Sequence, residues 1–356
     1  MNEPKQKPVR IAVIGAGLIG ERHAKLVAHH EMTELAAIVD PAPQSNELAK
    51  ELNCKKLDDI SELSLDDIDG VIIATPNANH LKSGLFFASE NIPCLIEKPI
   101  ADNLKNAELI ASTFEKSKIP LLIGHHRRYH PFVDRTKKII EKQELGVPVM
   151  ASIIWAVRKP DDYFEKGAWR TKSDGGPLLI NFIHEADLLL HIFGKVIEIQ
   201  AMTSNFQRGQ AVEDTAGVLL RFESGMMASV ILSDAALTPW SFEGASNENP
   251  NIAGTGISSW RIGCAQGALE FPGMRIWTDK EDQVGDWSRA LKSQDEDLQN
   301  VEPLYEQLTH FANLIHQTET KAKCDGWEGM KAMRLIDLIN QSVEPLSSLE
   351  LKVKAR

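Results

Sequence analysis

A glycine-rich turn near the start of the chain constrains its fold more than any other feature of the sequence. Residues 9–20 read Val-Arg-Ile-Ala-Val-Ile-Gly-Ala-Gly-Leu-Ile-Gly, in which an apolar strand pattern passes through glycines into a helix pattern. Gly15 permits a sharp turn out of the strand, Gly17 lets the backbone approach a pyrophosphate, and Gly20 lets the helix pack close to the strand. The N–H groups at the start of the helix would face the phosphates, so the turn predicts a dinucleotide site.

An acidic residue follows at the distance that indicates which dinucleotide is bound. Asp40 lies twenty residues after Gly20, directly after the apolar run Leu35–Val39. A carboxylate at this position can accept hydrogen bonds from both ribose hydroxyls of an adenosine, which favours NAD over NADP. A glycine pattern alone is a weak signal, but this one lies between a strand and a helix and has its acid. The sequence therefore predicts a Rossmann domain that binds NAD.

The first third of the chain alternates strand patterns with helix patterns. This alternation predicts βαβ units in a doubly wound parallel sheet. The expected strands are residues 11–14, 35–39, 70–74, 94–96 and 121–124. A chain of 356 residues suits two domains. Because the pattern changes after Gly124, we expect the Rossmann domain to span residues 1–124.

The remainder, residues 125–356, predicts a second α/β domain with an open, mostly antiparallel or mixed sheet, because strand patterns follow one another with few helices between them. The expected strands are residues 149–157, 196–204, 215–222, 226–234, 260–264 and 268–271. The other expected elements are a helix at 178–193, a binding loop or lid at 239–259, and terminal helices at 303–317 and 327–341 that pack near the domain junction. An open sheet leaves an apolar face that needs cover, which favours a homodimer or homotetramer.

Composition excludes several classes of function. The formal net charge of −11 disfavours a nucleic-acid partner, because the phosphates of nucleic acids bind basic surfaces. No apolar stretch has membrane-spanning length and the amino terminus lacks a secretory signal, so we expect a cytoplasmic protein without a membrane partner. The four cysteines, at positions 54, 94, 264 and 324, form no CxxC pair, so we expect neither a zinc site nor a disulfide framework.

Three segments contain side chains that could move a proton near the coenzyme. In the first, Lys98 follows an apolar strand and precedes Pro99, at the carboxyl edge of the predicted parallel sheet. Proline restricts the preceding residue to extended conformations, which fixes the direction of the lysine. A positively charged nicotinamide nearby would lower the pKa of this lysine into a range useful for acid–base work.

The second segment, Gly124–Pro131, contains three histidines and two arginines. A metal site is disfavoured, because no carboxylate lies in the segment and the adjacent His125 and His126 cannot both face one ion from a strand. Arg127 and Arg128 could instead donate bidentate hydrogen bonds to oxygens of the cofactor or the substrate. The alternative interpretation is a basic loop at the domain junction.

The third segment is a helix with a polar stripe. At 100° per residue, an arc of about 120° on one face contains Asn181, His184, Asp187 and His191. Such a stripe is either a solvent-exposed face or the wall of an active site. A histidine beside an asparagine and an aspartate can be oriented and tuned as a general base.

Taken in order, these segments resemble the glucose–fructose oxidoreductase, inositol dehydrogenase and rhizopine catabolism (Gfo/Idh/MocA) family over essentially the whole chain. The motifs that carry the resemblance are GAGLIG at residues 15–20, Ala74–Asn77, Glu97–Pro99, Gly124–Pro131 and the Gly-Gly…His184…Asp187 helix. The resemblance implies a Rossmann domain, an α/β domain whose open sheet mediates oligomer contacts, and pyridine-nucleotide redox chemistry on sugars or cyclitols.

The resemblance also implies roles for individual residues. Lys98 matches the family's active-site lysine, and His184 matches its catalytic histidine. The residues that the resemblance places near the cofactor are Glu97, Thr75, Asn77 and the backbone of Leu18 and Ile19.

One position departs from the family's pattern. Sugar and inositol dehydrogenases of the family usually carry an aspartate four residues before that histidine, where this chain has Ile180. The aspartate that would share a proton with His184 is therefore missing, and inositol-type specificity does not simply transfer. The residues expected to contact a sugar's C–H surface and hydroxyls are Tyr163, Trp169, Arg170, Asn181 and His184, with ordinary loop anchoring as the alternative for the first three.

The function predicted from these features is NAD-dependent oxidation of a secondary alcohol in a sugar, cyclitol or related polyhydroxy or cyclic compound. His184 is expected to accept the hydroxyl proton while Lys98 orients the oxygen. The alternatives are a glycosidase that uses bound NAD in a transient oxidation and a non-catalytic, dinucleotide-sensing regulator. A reductase of the biliverdin or dihydrodiol type fits less well, because the site is polar.

Overall fold

The computed structural model describes residues 6–172, 175–279, 287–299 and 301–343. Within these residues, six parallel strands form the first sheet in the order β3-β2-β1-β4-β5-β6. The strands are β1 (Val9–Ile14), β2 (Thr33–Val39), β3 (Lys55–Leu57), β4 (Gly70–Ile73), β5 (Cys94–Ile96) and β6 (Leu121–Ile123), and the helices are α1 (Leu18–His29), α2 (Ser45–Glu51), α3 (His80–Ser89) and α4 (Leu104–Ser117). This strand order is that of a doubly wound dinucleotide-binding sheet, so the Rossmann prediction is confirmed.

The parallel sheet brings the predicted segments to one edge. β1, β4 and β5 are almost entirely buried, as parallel strands are when helices cover both faces. Because their carboxyl ends point the same way, the glycine turn, Thr75 and Lys98 follow neighbouring strands at that edge. The strand that the sequence did not predict, β3, reads Lys-Lys-Leu and carries no apolar run.

The second domain contains a mixed sheet. Among the described residues it has eight strands in the order β14-β13-β12-β11-β7-β10-β9-β8, antiparallel throughout except for the pair β7 and β10. The strands are β7 (Pro148–Ala156), β8 (Val196–Ser204), β9 (Thr215–Phe222), β10 (Met227–Ser233), β11 (Trp260–Cys264), β12 (Gly267–Phe271), β13 (Arg275–Thr278) and β14 (Lys292–Asp295). The prediction of an open, mostly antiparallel sheet is confirmed. β14 reads Lys-Ser-Gln-Asp and is exposed throughout, so no apolar pattern indicated it.

Seven helices accompany this sheet in the described part of the chain. They are α5 (Pro131–Glu141), α6 (Asp161–Glu165), α7 (Pro177–Ile180), α8 (Phe182–Phe193), α9 (Phe242–Ser246), α10 (Pro303–Ile315) and α11 (Gly326–Ser342). α11 contacts α4 of the first domain as well as α8 and β8 of the second. None of the described helices is both long enough and apolar enough to cross a membrane.

Two predicted elements differ from the structure. The single helix expected at residues 178–193 is broken at Asn181, whose φ of −108° and ψ of −49° separate α7 from α8. The side chain of Asn181 accepts a hydrogen bond from Lys159 instead of facing solvent. The stretch at residues 239–259 is not a simple loop, because it contains α9, in which Phe242 and Glu243 are buried. Residues 241–244 are therefore part of the interior, whereas residues 253–257 of the same stretch are exposed.

The outer face of the second sheet exposes large apolar side chains. The register places on one face Met150, Met202, Leu219, Met227 and Ile231, each 45% exposed or more. Single exposed apolar residues are ordinary, whereas a contiguous group on a sheet indicates a contact surface. The first sheet ends with β6, and we propose that the domains divide near residue 124.

Candidate active site

The glycine turn at residues 15–20, called here the coenzyme turn, has space for a ligand at one glycine only. Gly15 has a φ of +95°, and a Cβ there would lie 2.7 Å from the carbonyl oxygen of Ala74. A Cβ at Gly20 would collide with the carbonyl oxygen of Gly15, whereas one at Gly17 would meet no atom within 4 Å. Gly17 also precedes α1 without any side chain capping that helix. The open space therefore lies where helix N–H groups favour a pyrophosphate.

The remaining residues expected near the cofactor surround this turn. The carboxylate of Asp40 accepts hydrogen bonds from the N–H groups of Ala16 at 2.6 Å and Ala42 at 2.7 Å. Leu18 and Ile19 lie in the first turn of α1, and Leu18 is 82% exposed. A carboxylate held beside an open helix start fits the adenosine side of NAD.

The other side of the coenzyme site is formed after β4. Asn77 begins a short 3-10 turn, and the hydroxyl of Thr75 is buried without a partner in the part of the chain that the structure describes. A buried hydroxyl without a partner is uncommon, so it is available to a ligand. The ring nitrogens of His80 lie 2.8 Å from the carbonyl oxygen of Thr75 and 3.0 Å from that of Pro99. His80 thereby connects the turn after β4 with the segment that contains Lys98.

Glu97 is a buried carboxylate fixed beneath this edge of the sheet. Its Oε1 lies 2.7 Å from Nε2 of His23, and its Oε2 accepts the N–H of Lys98 at 3.1 Å. A Cβ at Gly124 would lie 2.8 Å from the Glu97 carboxyl carbon, so only glycine leaves room for the carboxylate. Burial alone would raise the pKa of Glu97, but the hydrogen bond with His23 lowers it to about 2. Glu97 is therefore ionised and positions the backbone of the next residue.

Lys98 of the first domain lies close enough to His184 of the second domain for its positive charge to affect the His184 ring. Burial lowers the pKa of His184 well below its usual value, and the positive charges of Lys98 and Arg127 lower it further. The His184 ring lies 5.5 Å from the His126 ring, centroid to centroid, and its Nδ1 is buried without a partner. A neutral imidazole of this kind can accept a proton.

Lys98 has the properties needed to bind the oxygen whose proton His184 would accept. Within the described residues its Nζ makes neither a hydrogen bond nor an ion pair with the protein. Burial lowers the pKa of Lys98 below its ordinary value, while the negative charge of Glu97 opposes that shift. An amine with unused donors beside a neutral imidazole can bind an oxygen between them.

Arg127, expected to reach cofactor oxygens, is the centre of a buried ion-pair network. Its nitrogens contact three carboxylates, with Nε 2.7 Å from Glu248, Nη1 3.0 Å from Glu185 and Nη2 2.6 Å from Glu243. The guanidinium also lies 4.2 Å from the centroid of the Phe242 ring. We call these four charged residues the junction network. Its donors are engaged with protein carboxylates, so they are not free to bind oxygens of the cofactor.

One guanidinium cannot neutralise three carboxylates. Burial raises the pKa of Glu185 to about 7; Arg127 opposes this shift and Glu243 adds to it. The Oε2 atom of Glu185 is buried without a partner. Glu185 is thus the member of the junction network that can hold a proton near neutral pH.

Asp187 does not orient His184 as the helical stripe suggested. It binds Arg128, with Nη2 2.6 Å from Oδ1 and Nε 2.9 Å from Oδ2. His125, Asp187 and Cys324 offer ligand atoms within 4.8 Å of one another. Both Asp187 oxygens already face a buried guanidinium, so this group fits a metal ion poorly.

Two of the residues expected to bind substrate, Asn181 and Tyr163, contact a lysine that the sequence did not single out. Lys159 donates to Asn181, and its Nζ lies 4.9 Å from the centroid of the Tyr163 ring. The Arg170 guanidinium stacks on the same Tyr163 ring at 3.9 Å, whereas Trp169 is 50% exposed.

Sequence reasoning also missed the acids that surround Arg127. Glu243 and Glu248 lie in the stretch interpreted as a loop or lid, more than 110 positions from Arg127 along the chain. The available signal was indirect: two adjacent arginines with no acid in their segment, if buried, require distant carboxylates.

Comparison with known proteins identifies relatives of both domains. The model of an oxidoreductase family with an NAD-binding Rossmann fold, GFO_IDH_MocA, matches residues 9–125, and that of the GFO/IDH/MocA C-terminal domain matches residues 133–255. A 4-carboxy-2-hydroxymuconate-6-semialdehyde dehydrogenase of Sphingobium is 26% identical over 63% of this chain and 72% of its own length. An inositol 2-dehydrogenase of Rhizobium meliloti is 28% identical over 62% of this chain and 68% of its own length.

A solved structure shows the same fold. The oxidoreductase from Agrobacterium radiobacter in complex with NAD+, L-tartaric acid and magnesium superposes with a TM-score of 0.77 at 19% identity, over 94% of this chain and 96% of its own. The two family models together match residues 9–255 apart from the short segment 126–132. The chain therefore belongs to the Gfo/Idh/MocA family of NAD-binding oxidoreductases.

Proposed function

We propose that this protein is an NAD-dependent dehydrogenase that oxidises a secondary alcohol of a sugar, cyclitol or related polyhydroxy or cyclic compound. The observation that supports the proposal is that the charge of Lys98, at the edge that holds the coenzyme turn, acts on the ring of His184. Relatives that are named as dehydrogenases of such compounds support it.

The coenzyme would be held by residues that already have the required geometry. The backbone at Gly17, Leu18 and Ile19 would bind the pyrophosphate, and Asp40 would bind the adenosine ribose. The residues left for the nicotinamide end are Thr75, Asn77, Glu97 and Lys98. When bound, NAD supplies the hydride acceptor at C4 of its nicotinamide.

Lys98 and His184 would manage the proton. The substrate hydroxyl would lie between them, and neutral His184 would accept its proton at the ring nitrogen that faces the substrate. Lys98 would orient the oxygen and stabilise the negative charge that develops on it. The Glu97 carboxylate would keep the Lys98 backbone in place through its hydrogen bond to the N–H group.

A screen of reduced coenzyme formation tests the proposal. Purified protein would be mixed with NAD, and in parallel with NADP, and absorbance at 340 nm followed with sugars, inositols, their acids and glycosides. We expect net NADH from at least one polyhydroxy compound and a preference for NAD, since Asp40 repels a 2′-phosphate. A glycosidase with transient oxidation would cleave glycosides without net NADH. A regulator would bind NAD but would neither form NADH nor cleave any of these compounds.

The same proposal includes a second copy of the chain as a partner. The apolar face of the second sheet, with Met202 and Ile231 among its exposed residues, is suited to a homodimer or homotetramer. The four cysteines are unpaired, which supports a reducing compartment such as the cytoplasm.

A further inference from the structure

Lys159 is a buried amine that shares its close carboxylate with a second cation. It follows β7, is 8% exposed, and donates from Nζ to Oδ1 of Asn181 at 2.7 Å. The nearest acid is Asp234, whose Oδ2 lies 3.5 Å from Nζ. Lysines are rarely buried unless they are paired. The environment of Lys159 therefore leaves part of its charge and hydrogen-bonding capacity unused.

Asp234, the acid nearest to Lys159, also forms an ion pair with a second cation. Arg208 contacts Asp234 more closely, with Nε 2.8 Å from Oδ1. Asp161 lies 3.7 Å from the same guanidinium but is 80% exposed, so solvent screens it. Glu213 is in electrostatic range of Lys159, but burial raises the pKa of Glu213 and its Oε1 accepts the N–H of Leu178. Neither Asp161 nor Glu213 therefore supplies a full negative charge to neutralise Arg208 and Lys159.

Arg170 adds further positive charge to this group. Its guanidinium stacks on Tyr163, and its Nη1 donates to the carbonyl oxygen of that residue rather than to a carboxylate. Its Nε is buried and has no hydrogen-bond partner among the described residues. Among the described residues, Asp234 is the carboxylate that contacts both Lys159 and Arg208, and Arg170 forms no ion pair, so positive charge exceeds negative charge around Lys159.

The excess charge lies within one helical turn of the catalytic histidine. Asn181 immediately precedes α8, and the N–H of His184 donates to its carbonyl oxygen at 3.2 Å. Residues three apart on a helix have Cβ atoms about 5–6 Å apart on one side. The start of a helix also carries partial positive charge. A compound whose hydroxyl meets His184 can therefore reach Lys159 with a substituent on a nearby carbon.

We infer that Lys159 and Arg170 form a subsite for an anionic group, a carboxylate or a phosphate, on the substrate that His184 and Lys98 oxidise. The inference rests on the proposed function for the identity of the reacting centre. The subsite lies beside Asn181, at the helix break that separates α7 from α8. It makes a sugar acid or sugar phosphate the preferred substrate class over a neutral sugar.

Equilibrium binding tests this inference without requiring turnover. Calorimetry on NADH-loaded protein would compare glucose with glucuronate and with glucose 6-phosphate, which separates the carboxylate and phosphate sources. A hydrogen bond between charged groups predicts that one of the anions binds about tenfold or more tighter than glucose. Lys159→Met should remove this preference, and Lys159→Arg should retain most of it. The matched control is Lys166→Met, which alters an exposed lysine directly after α6 that is paired with Asp162, and it should change nothing.

The pH dependence provides a second readout. Burial lowers the pKa of Lys159 to about 8, although Asp234 opposes this shift, and Arg208 and Arg170 reinforce it. Lys159 is charged below that pH and loses its charge above it, so the preference for the anion should fall as pH rises through about 8. Lys159→Arg should keep the preference at high pH, because arginine stays charged.

Two results would overturn the inference. One is equal or undetectable binding of all three probes to the unaltered protein. The other is a loss in Lys159→Met that is the same for glucose as for the anions, which would indicate a structural role. NAD binding by each variant verifies its folding. Failure of the 340 nm screen with anion binding intact would instead contradict the proposed function alone.

Discussion

The coenzyme turn and the junction network are built in opposite ways. At the turn, Gly15, Gly17 and Gly20 act through backbone geometry within six consecutive residues. In the junction network, Arg127 meets Glu185 and Glu248, which lie 58 and 121 positions away. The turn is therefore specified locally, whereas the network exists only when distant segments of the second domain have folded together. The turn leaves open space at Gly17, and the network holds Arg127 beside Glu185, the residue that follows His184.

Removal of the central charge of the junction network should have the largest effect on stability. Arg127→Met leaves buried carboxylates without their counter-charge, and breaking a buried pair costs about 3–5 kcal/mol. We expect a clear fall in the thermal midpoint at pH 7, and a smaller fall at pH 5 because carboxylates can then bind protons. The control is Arg135→Met, whose partly exposed ion pairs with Glu144 and Glu296 are worth about 0–1 kcal/mol. Equal falls for the two variants would contradict the special role of the network.

Two alanine substitutions separate packing from ligand binding within the coenzyme turn. Gly20→Ala should lower the thermal midpoint, because its Cβ would collide with the Gly15 carbonyl. Gly17→Ala should leave the midpoint unchanged, since no atom lies within 4 Å of the added carbon. It should nevertheless weaken NAD binding by about tenfold, or about 1.4 kcal/mol, by blocking close approach of the pyrophosphate. Unchanged NAD affinity, measured by fluorescence titration, would show that the pyrophosphate does not approach here.

The same contrast explains how much of the molecule could be predicted from its sequence. Parallel strands covered on both faces are continuous apolar runs, so β1, β4 and β5 were found nearly to the residue. β3 and β14 are polar or exposed and carry no such signal. The sheet order follows from the alternation of elements, because few topologies are compatible with it.

The candidate site was predictable only in part, for a physical reason. Lys98 and His184 stand in recognisable motifs at the end of a strand and the start of a helix. The partners of Arg127 could not be found, because side-chain pairing between distant segments leaves no local pattern. Asn181 shows the same limit: periodicity placed it inside a continuous helix, whereas its bond to Lys159 accompanies a break.

Turnover by Lys98→Met tests the central claim most directly. With the substrate found in the screen, we predict a fall in kcat of at least about a hundredfold, the range expected for loss of a group that acts on the proton. NAD affinity should stay close to that of the unaltered protein, and Lys105→Met, an exposed lysine on α4, should retain full activity. Turnover by Lys98→Met equal to that of the unaltered protein would contradict the assignment of Lys98 and His184 as the reacting pair.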